Sequence, residues 1–327
     1  MKFWLAALIL LSANCFAAGE KPLSQLRLDT VEFVDTELHS VLEFLNLKAK
    51  EMNGRPSNFV LYDPVGTIAQ ENPKITLALK NIPFSEVVKF VTQLSSTEFL
   101  LDHRVVWVGK SDDLAVLKTN RSSRTSGILK SPAFARMSQI KVPGIDFSGT
   151  SLTEVVEGLR NLDRAGGGAG NFVVIPGKTI DPDSVKINLN VSNISLAELV
   201  LFTSELSGFP IRVDSNAIVF RAPDARKPPA PPRGANFSHL NRKIIDQVSL
   251  AEITVAEMIE FLRFHSKSPT HPNGINMIQL TKSEQTVTLD LKKVRFSEIL
   301  RYFNEQTGTS FRIDGSSIQI IDLPPEK

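Results

Sequence analysis

The 327-residue chain has one cysteine, Cys15, and that residue sits in the amino-terminal leader. If the leader is cut after Ala17, the mature chain has no thiol and no disulfide. An exported protein without disulfides fits a bacterial envelope better than a small secreted eukaryotic scaffold. An excess of one charge is also missing: 37 basic and 35 acidic residues leave a net +2. That balance excludes a strongly basic nucleic-acid binder. Beyond the leader no stretch approaches 18 apolar residues, so no transmembrane span is expected. No set of side chains with catalytic or metal-ligand spacing recurs, so no catalytic, cofactor-binding or metal residue is assigned.

The leader spans residues 1–17. Lys2 precedes an apolar run from Phe3 to Leu11, and small residues, Cys15 and Ala17, stand at positions −3 and −1 of the cut. This is the pattern of a secretory signal peptide. Lipidation at Cys15 is disfavoured, because Asn14 stands where a lipoprotein signal carries a small residue.

What the chain does have is one pattern three times. Ile75–Leu79 leads into Asn81–Glu86, Val185–Leu189 into Asn193–Glu198, and Val287–Leu291 into Lys293–Glu298. The apolar anchors Phe84, Leu196 and Phe296 lie 112 and 100 residues apart. Eighteen residues after each comes Asp102, Asp214 or Asp314. Such a period is too long for a solenoid and suits small domains in series. An earlier half recurs too. Val31–Phe33, Ile145–Phe147 and Val248–Leu250 alternate as strands. Helices with one apolar stripe follow at Leu38–Leu45, Leu152–Leu159 and Val255–Leu262. Ser151 with Glu154, Thr254 with Glu257 and Ser195 with Glu198 make capping boxes, whereas the first copy has Glu37 at the cap position. The second helix of copy one shows an apolar stripe of Phe84, Val87, Val88, Val91 and Leu94. Asp314-Gly315 between apolar residues marks a closing hairpin.

The fold class is therefore α+β: three tandem small domains, each strand-helix-strand then strand-helix-strand-strand. They are expected at 28–110, 139–222 and 242–323, each with its own core. A basic linker, 111–138, and a Pro-rich linker, 223–241, separate them. The first lacks periodicity and carries Lys118, Arg121, Arg124, Lys130 and Arg136. With Lys141 these form an acid-free basic stretch, read as a solvated segment or as a contact for an anionic surface or partner. The second contains Lys227–Arg233, a run suited to polyproline II geometry and a spacer role.

Taken together, the strand ending at Val60–Asp63, the Ile75–Asn81 run and Phe303–Gly315 resemble the secretin and TonB short N-terminal domain. The resemblance covers about 240 of the 327 residues, in three copies. It implies a periplasmic protein-binding module of gram-negative bacteria without catalytic residues. The barrel that follows this module in secretins and TonB-dependent receptors has no counterpart in the sequence.

Several residues invite chemistry and have a plainer reading. Glu86, Glu198 and Glu298 stand at helix starts, and the three aspartates in hairpin turns. Gly166–Gly170 follows a helix and enters a strand, the reverse of a phosphate-cradling loop, and reads as a flexible connector. His39, His103, His239, His265 and His271 lack partners at ligand spacing. Trp107 is core or an exposed contact. The expected function is an exported, non-catalytic adaptor at the outer membrane or in the periplasm, binding envelope proteins such as secretin or pilus components. The alternatives are a ring or tube formed by stacking and self-association of the modules, and an enzyme with a composite site between domains.

Overall fold

The computed structural model describes residues 23–53, 58–102, 105–128, 130–225, 243–268, 272–314 and 317–323. The signal segment with Cys15, the Lys227–Arg233 run, His103, His239 and His271 lie outside them. The protein is α+β, with helices alternating with strands in several small sheets.

Module 1 runs β1 (Arg27–Glu37), α1 (Leu38–Asn53), β2 (Asn58–Tyr62), α2 (Thr67–Glu71), β3 (Lys74–Pro83), α3 (Phe84–Leu94), β4 (Glu98–Asp102) and β5 (Val105–Gly109). Two helices follow, α4 (Ser111–Ile128) and α5 (Pro132–Met137). Module 2 has β6 (Lys141–Ser151), α6 (Leu152–Ala165), β7 (Phe172–Ile175), β8 (Lys186–Ser195), α7 (Leu196–Ser207), β9 (Ile211–Val213) and β10 (Ile218–Arg221). Module 3 has β11 (Ile244–Ile253), α8 (Val255–His265), β12 (Asn276–Gln279), β13 (Val287–Arg295), α9 (Phe296–Thr307), β14 (Thr309–Asp314) and β15 (Ser317–Asp322).

Each module has a two-stranded antiparallel ribbon (β1–β3, β6–β8, β11–β13) and a three-stranded mixed sheet (β2-β5-β4, β7-β10-β9, β12-β15-β14). In the mixed sheets the central strand is parallel to one neighbour and antiparallel to the other. The copies agree in detail. Each ribbon has a bulge at the same place, with Asp35, Gly149 or Glu252 at positive φ. The bulged N–H of each donates to a side chain on the partner strand: Thr76 at 3.0 Å, Asn188 at 2.7 Å and Thr288 at 3.0 Å. A bulge turns one N–H out of the ladder, and these side chains satisfy it. The capping boxes at Ser151, Ser195 and Thr254 are all formed. Glu37, at the corresponding point of copy one, pairs instead with Lys74 at 2.6 Å.

Two expectations are corrected. Segment 111–138 is not an irregular linker: α4 and α5 occupy most of it, and Leu114, Leu117, Phe134 and Met137 are buried. The apolar spacing of 114/117 and 134/137 buries one side of each helix, α4 against β4 and β5 of module 1 and α5 against α7 of module 2. Nor does each module keep its core to itself. Module 1 packs Phe59, Val106 and Val108 inward, but Val60, Tyr62, Val105 and Trp107 join the core of module 2. Likewise Val173, Ile175, Ala217 and Val219 of module 2 join the core of module 3. The mixed sheet of each of the first two modules is thus covered on both faces, once by its own helices and once by the next module.

Candidate functional site: the junctions between modules

The residues that recur in the sequence converge on two junctions. Both are built around one asparagine at the start of a mixed-sheet strand. Asn58 accepts from the N–H of Ser192 at 2.8 Å through Oδ1 and donates Nδ2 to its carbonyl at 3.3 Å. Asn171 does the same to Lys292, at 2.7 Å for both bonds. Ser192 and Lys292 each lie four residues before the helix anchor, on the free edge of the ribbon of the next module. A carboxamide presents the donor–acceptor pair that a neighbouring strand would present. It satisfies a ribbon edge that burial would otherwise leave unpaired.

A second shared element is an arginine between two acids. At junction 1, Arg121 from α4 bonds Asp102 of module 1 and, at 2.7 Å, Glu205 of module 2. Its guanidinium lies 5.0 Å from the centre of the Trp107 ring and 5.6 Å from that of Phe202. Trp107 is fully buried and meets Phe202 edge to face at 5.1 Å. At junction 2, Arg212 bonds Asp214 at 3.1 Å and Glu305 of module 3 at 3.0 Å. Arg301 and the Tyr302 hydroxyl of module 3 donate back to Asp214 at 2.6 and 3.1 Å. Burial, and then the charge of Asp214, push the Tyr302 hydroxyl above the ordinary tyrosine range, so it remains a protonated donor.

The flanks differ. In module 2, Arg160 donates to the Asp290 carbonyl at 2.5 Å, and Arg164 pairs with the Asp290 carboxylate at 2.8 Å. Burial works to raise the Asp290 pKa, but the Arg164 hydrogen bond and the charges of Arg160, Arg164 and Lys292 outweigh it and lower it. Asn46 holds the Arg160 position in module 1, and it turns inward to the Phe59 backbone. A shallow cleft lined by His39, Glu43, Asn46, Leu61, Asn188 and Asn190 remains at junction 1.

Glu198 serves its own helix start through the Ser195 capping box, and Glu86 lies 3.8 Å from Lys89. Glu298 departs from the expected role, because it accepts from Asn216 of module 2 at 2.8 Å. Asp102 and Asp214 stand at hairpin ends and act at the junctions; the Asp314 side chain lies outside the description. Trp107 is fully buried, so it is core and not an exposed contact. The Gly166–Gly170 segment bonds to Asp163: the Gly170 N–H donates to its carboxylate at 2.8 Å, and the Gly168 N–H to its carbonyl at 2.8 Å. His39 faces Glu43 at 3.2 Å, and burial followed by the charge of Lys243 lowers the pKa of His265. Among the described residues no group of His, Cys, Asp and Glu could hold a metal ion. No helix among them is long and apolar enough to cross a membrane.

Asn58, Asn171, Arg160, Arg212 and Tyr302 are the contributors that sequence reading missed. The signal for the asparagines was their recurrence at one strand position.

No protein-family model matches the chain, and no curated protein matches it.

Proposed function

We propose that this chain is an exported, non-catalytic scaffold of the bacterial envelope: three protein-binding modules locked in series, serving a secretin- or pilus-type assembly. The leader at 1–17 and the resemblance to the short N-terminal domain of secretins and TonB-dependent receptors support the periplasmic setting. One observation carries the scaffold reading. The recurring polar residues Asn58, Asn171, Asp102 and Asp214 are spent on joining one module to the next. A row of modules fixed in this way holds its outer faces at set spacings, which suits simultaneous contact with several subunits of an assembly.

The test is expression of a carboxy-terminally tagged chain in a gram-negative host. The scaffold reading expects a periplasmic product beginning at Ala18, and co-purification of an envelope protein in fixed ratio. A cytoplasmic product with an intact amino terminus would overturn it.

A further inference from the structure

The two junctions repeat one geometry with one direction. The mixed sheet of a module meets the ribbon edge of the module that follows. A heterologous contact of this kind leaves two unlike ends, a mixed sheet on module 3 and a ribbon edge on module 1. The module 3 end retains the polar residues that work at junction 2. Asn276 stands where Asn171 stands, Arg263 where Arg160 stands, Lys267 where Arg164 stands and Arg312 where Arg212 stands. Arg263 even repeats the local contacts of its counterpart. It bonds Glu260 at 2.6 Å and the Met277 carbonyl at 3.3 Å, as Arg160 bonds Glu157 at 2.9 Å and the Phe172 carbonyl at 3.1 Å. The remaining Arg160 nitrogen, Nη1, reaches the Asp290 carbonyl of the next module.

The apolar positions tell the same story. Val173 and Ile175 are 2% and 0% exposed under module 3, whereas their counterparts Ile278 and Leu280 are 42% and 52% exposed. At the other end Leu94, on the expected apolar stripe of α3, is 50% exposed. Its counterparts Leu206 and Gln306 lie in junctions 1 and 2, where Gln306 donates to the Val174 carbonyl at 2.9 Å. Leu77 and Leu79 are half-buried where Leu189, Val191, Leu289 and Leu291 are buried. Lys80, exposed on β3, holds the position of Ser192 and Lys292, and among the described residues β3 pairs with β1 alone.

We infer that module 3 of one chain docks on module 1 of a second copy, Asn276 clamping the backbone of Lys80 as Asn171 clamps Lys292. Three replacements set the strength. Ser317 and Gln319 replace the apolar pairs Val105/Trp107 and Ala217/Val219, and Gln93 replaces the acid that Arg121 and Arg212 find at Glu205 and Glu305. The contact is therefore more polar than the internal junctions, and it is reversible and concentration-dependent. This inference deepens the scaffold reading by naming a partner for its ends.

Sedimentation velocity of the purified chain across a wide concentration range tests it. Wild type is expected to form reversible oligomers. Ile278→Arg and Leu94→Arg, both at exposed positions, should each weaken self-association about tenfold or more without altering the fold by circular dichroism. The decisive arm mixes the two variants. Each has one intact end, so the mixture should regain a dimer and stop there. A monomeric wild type at every concentration, association insensitive to either variant, or a mixture that stays monomeric each overturns the proposal. Failure of export or capture would strike the scaffold reading and leave this result untouched.

Discussion

The two junctions share a clamp and an arginine held between two acids, and they differ in most of what surrounds them. Asn58 and Asn171 make the same pair of bonds to the same ribbon position. Around Asn58 the glue is aromatic: Trp107 against Phe202, with Arg121 across both rings. Around Asn171 it is ionic and polar: Arg160 and Arg164 on Asp290, Arg212 on Glu305, and Arg301 with Tyr302 on Asp214. The backbone clamp sets where the modules meet, because a side-chain amide matches only one register of N–H and C=O. The flanks set how strongly they hold, and unlike chemistry can fill that role. The arginines show this well. Arg121 comes from a helix between modules and Arg212 from a strand within one, yet each reaches an acid on the same turn of the next helix, Glu205 or Glu305.

The largest contrast is expected at one aligned position. Trp107→Ala removes the aromatic centre of junction 1 and should cost about 3–5 kcal/mol. Val219 occupies the same site at junction 2, and Val219→Ala should cost only about 1–2 kcal/mol, two methyl groups plus a small cavity. Urea denaturation of both variants measures the gap; equal costs would mean that the aromatic cluster does not carry junction 1.

The clamp itself gives the next contrast. Asn171→Ala leaves the N–H and carbonyl of Lys292 and the carbonyl of Asn216 without the partner they now have. Each unmet buried group costs about 1–3 kcal/mol. Asn276→Ala, at the open end, should change the stability of the monomer by less than about 0.5 kcal/mol. Comparable losses from the two substitutions would refute the distinction between a closed face and an open one.

Acid should act on junction 2 in a way closed to junction 1 at the matching site. Asp290 has a lowered pKa in the folded protein. Its contribution is therefore full above the ordinary aspartate value of 3.8 and is lost as pH falls through the lower folded value. The pair with Arg164 is partly exposed, so it contributes about 0.2–1 kcal/mol. Asn190 takes the aligned place in module 2 and has no charge to lose. Asp290→Asn should flatten part of the acid limb of the stability curve; an unchanged limb would remove Asp290 from the account.

The smallest effect concerns a helix end. Gly208 and Gly308 close α7 and α9 at φ 69° and 66°, and Ser96 sits at the corresponding position of module 1 with φ 52°. A left-handed residue without glycine is strained, so Ser96→Gly should stabilise module 1 by about 0.5–1 kcal/mol. A lower melting temperature in that variant would contradict the alignment of the three helix ends.

The α+β repeat was legible because strands, helices and capping boxes are written in local spacing. The segment 111–138 misled because α4 carries Ser, Thr and Asn that favour caps over helix interiors, and its anchoring residues Leu114 and Leu117 are few. The junctions left a trace that separate domains would not. Val105–Val108 and Phe172–Ile175 are unbroken apolar runs, the mark of strands covered on both faces. In β15 the order Ser317, Ile318, Gln319, Ile320 alternates polar with apolar residues instead. The partners of each asparagine could not be read, since they are backbone groups more than 100 residues away.

Backbone amide exchange at three aligned residues tests the repeated clamp most directly. The N–H groups of Ser192 and Lys292 are held by Asn58 and Asn171, and Lys80 has the same place on the free ribbon of module 1. In dilute solution Ser192 and Lys292 should exchange slowly and Lys80 fast, and Asn58→Ala should speed Ser192 while leaving Lys292 slow. Equal exchange at all three positions, or a Ser192 amide that ignores the loss of Asn58, would contradict modules locked in series by this clamp.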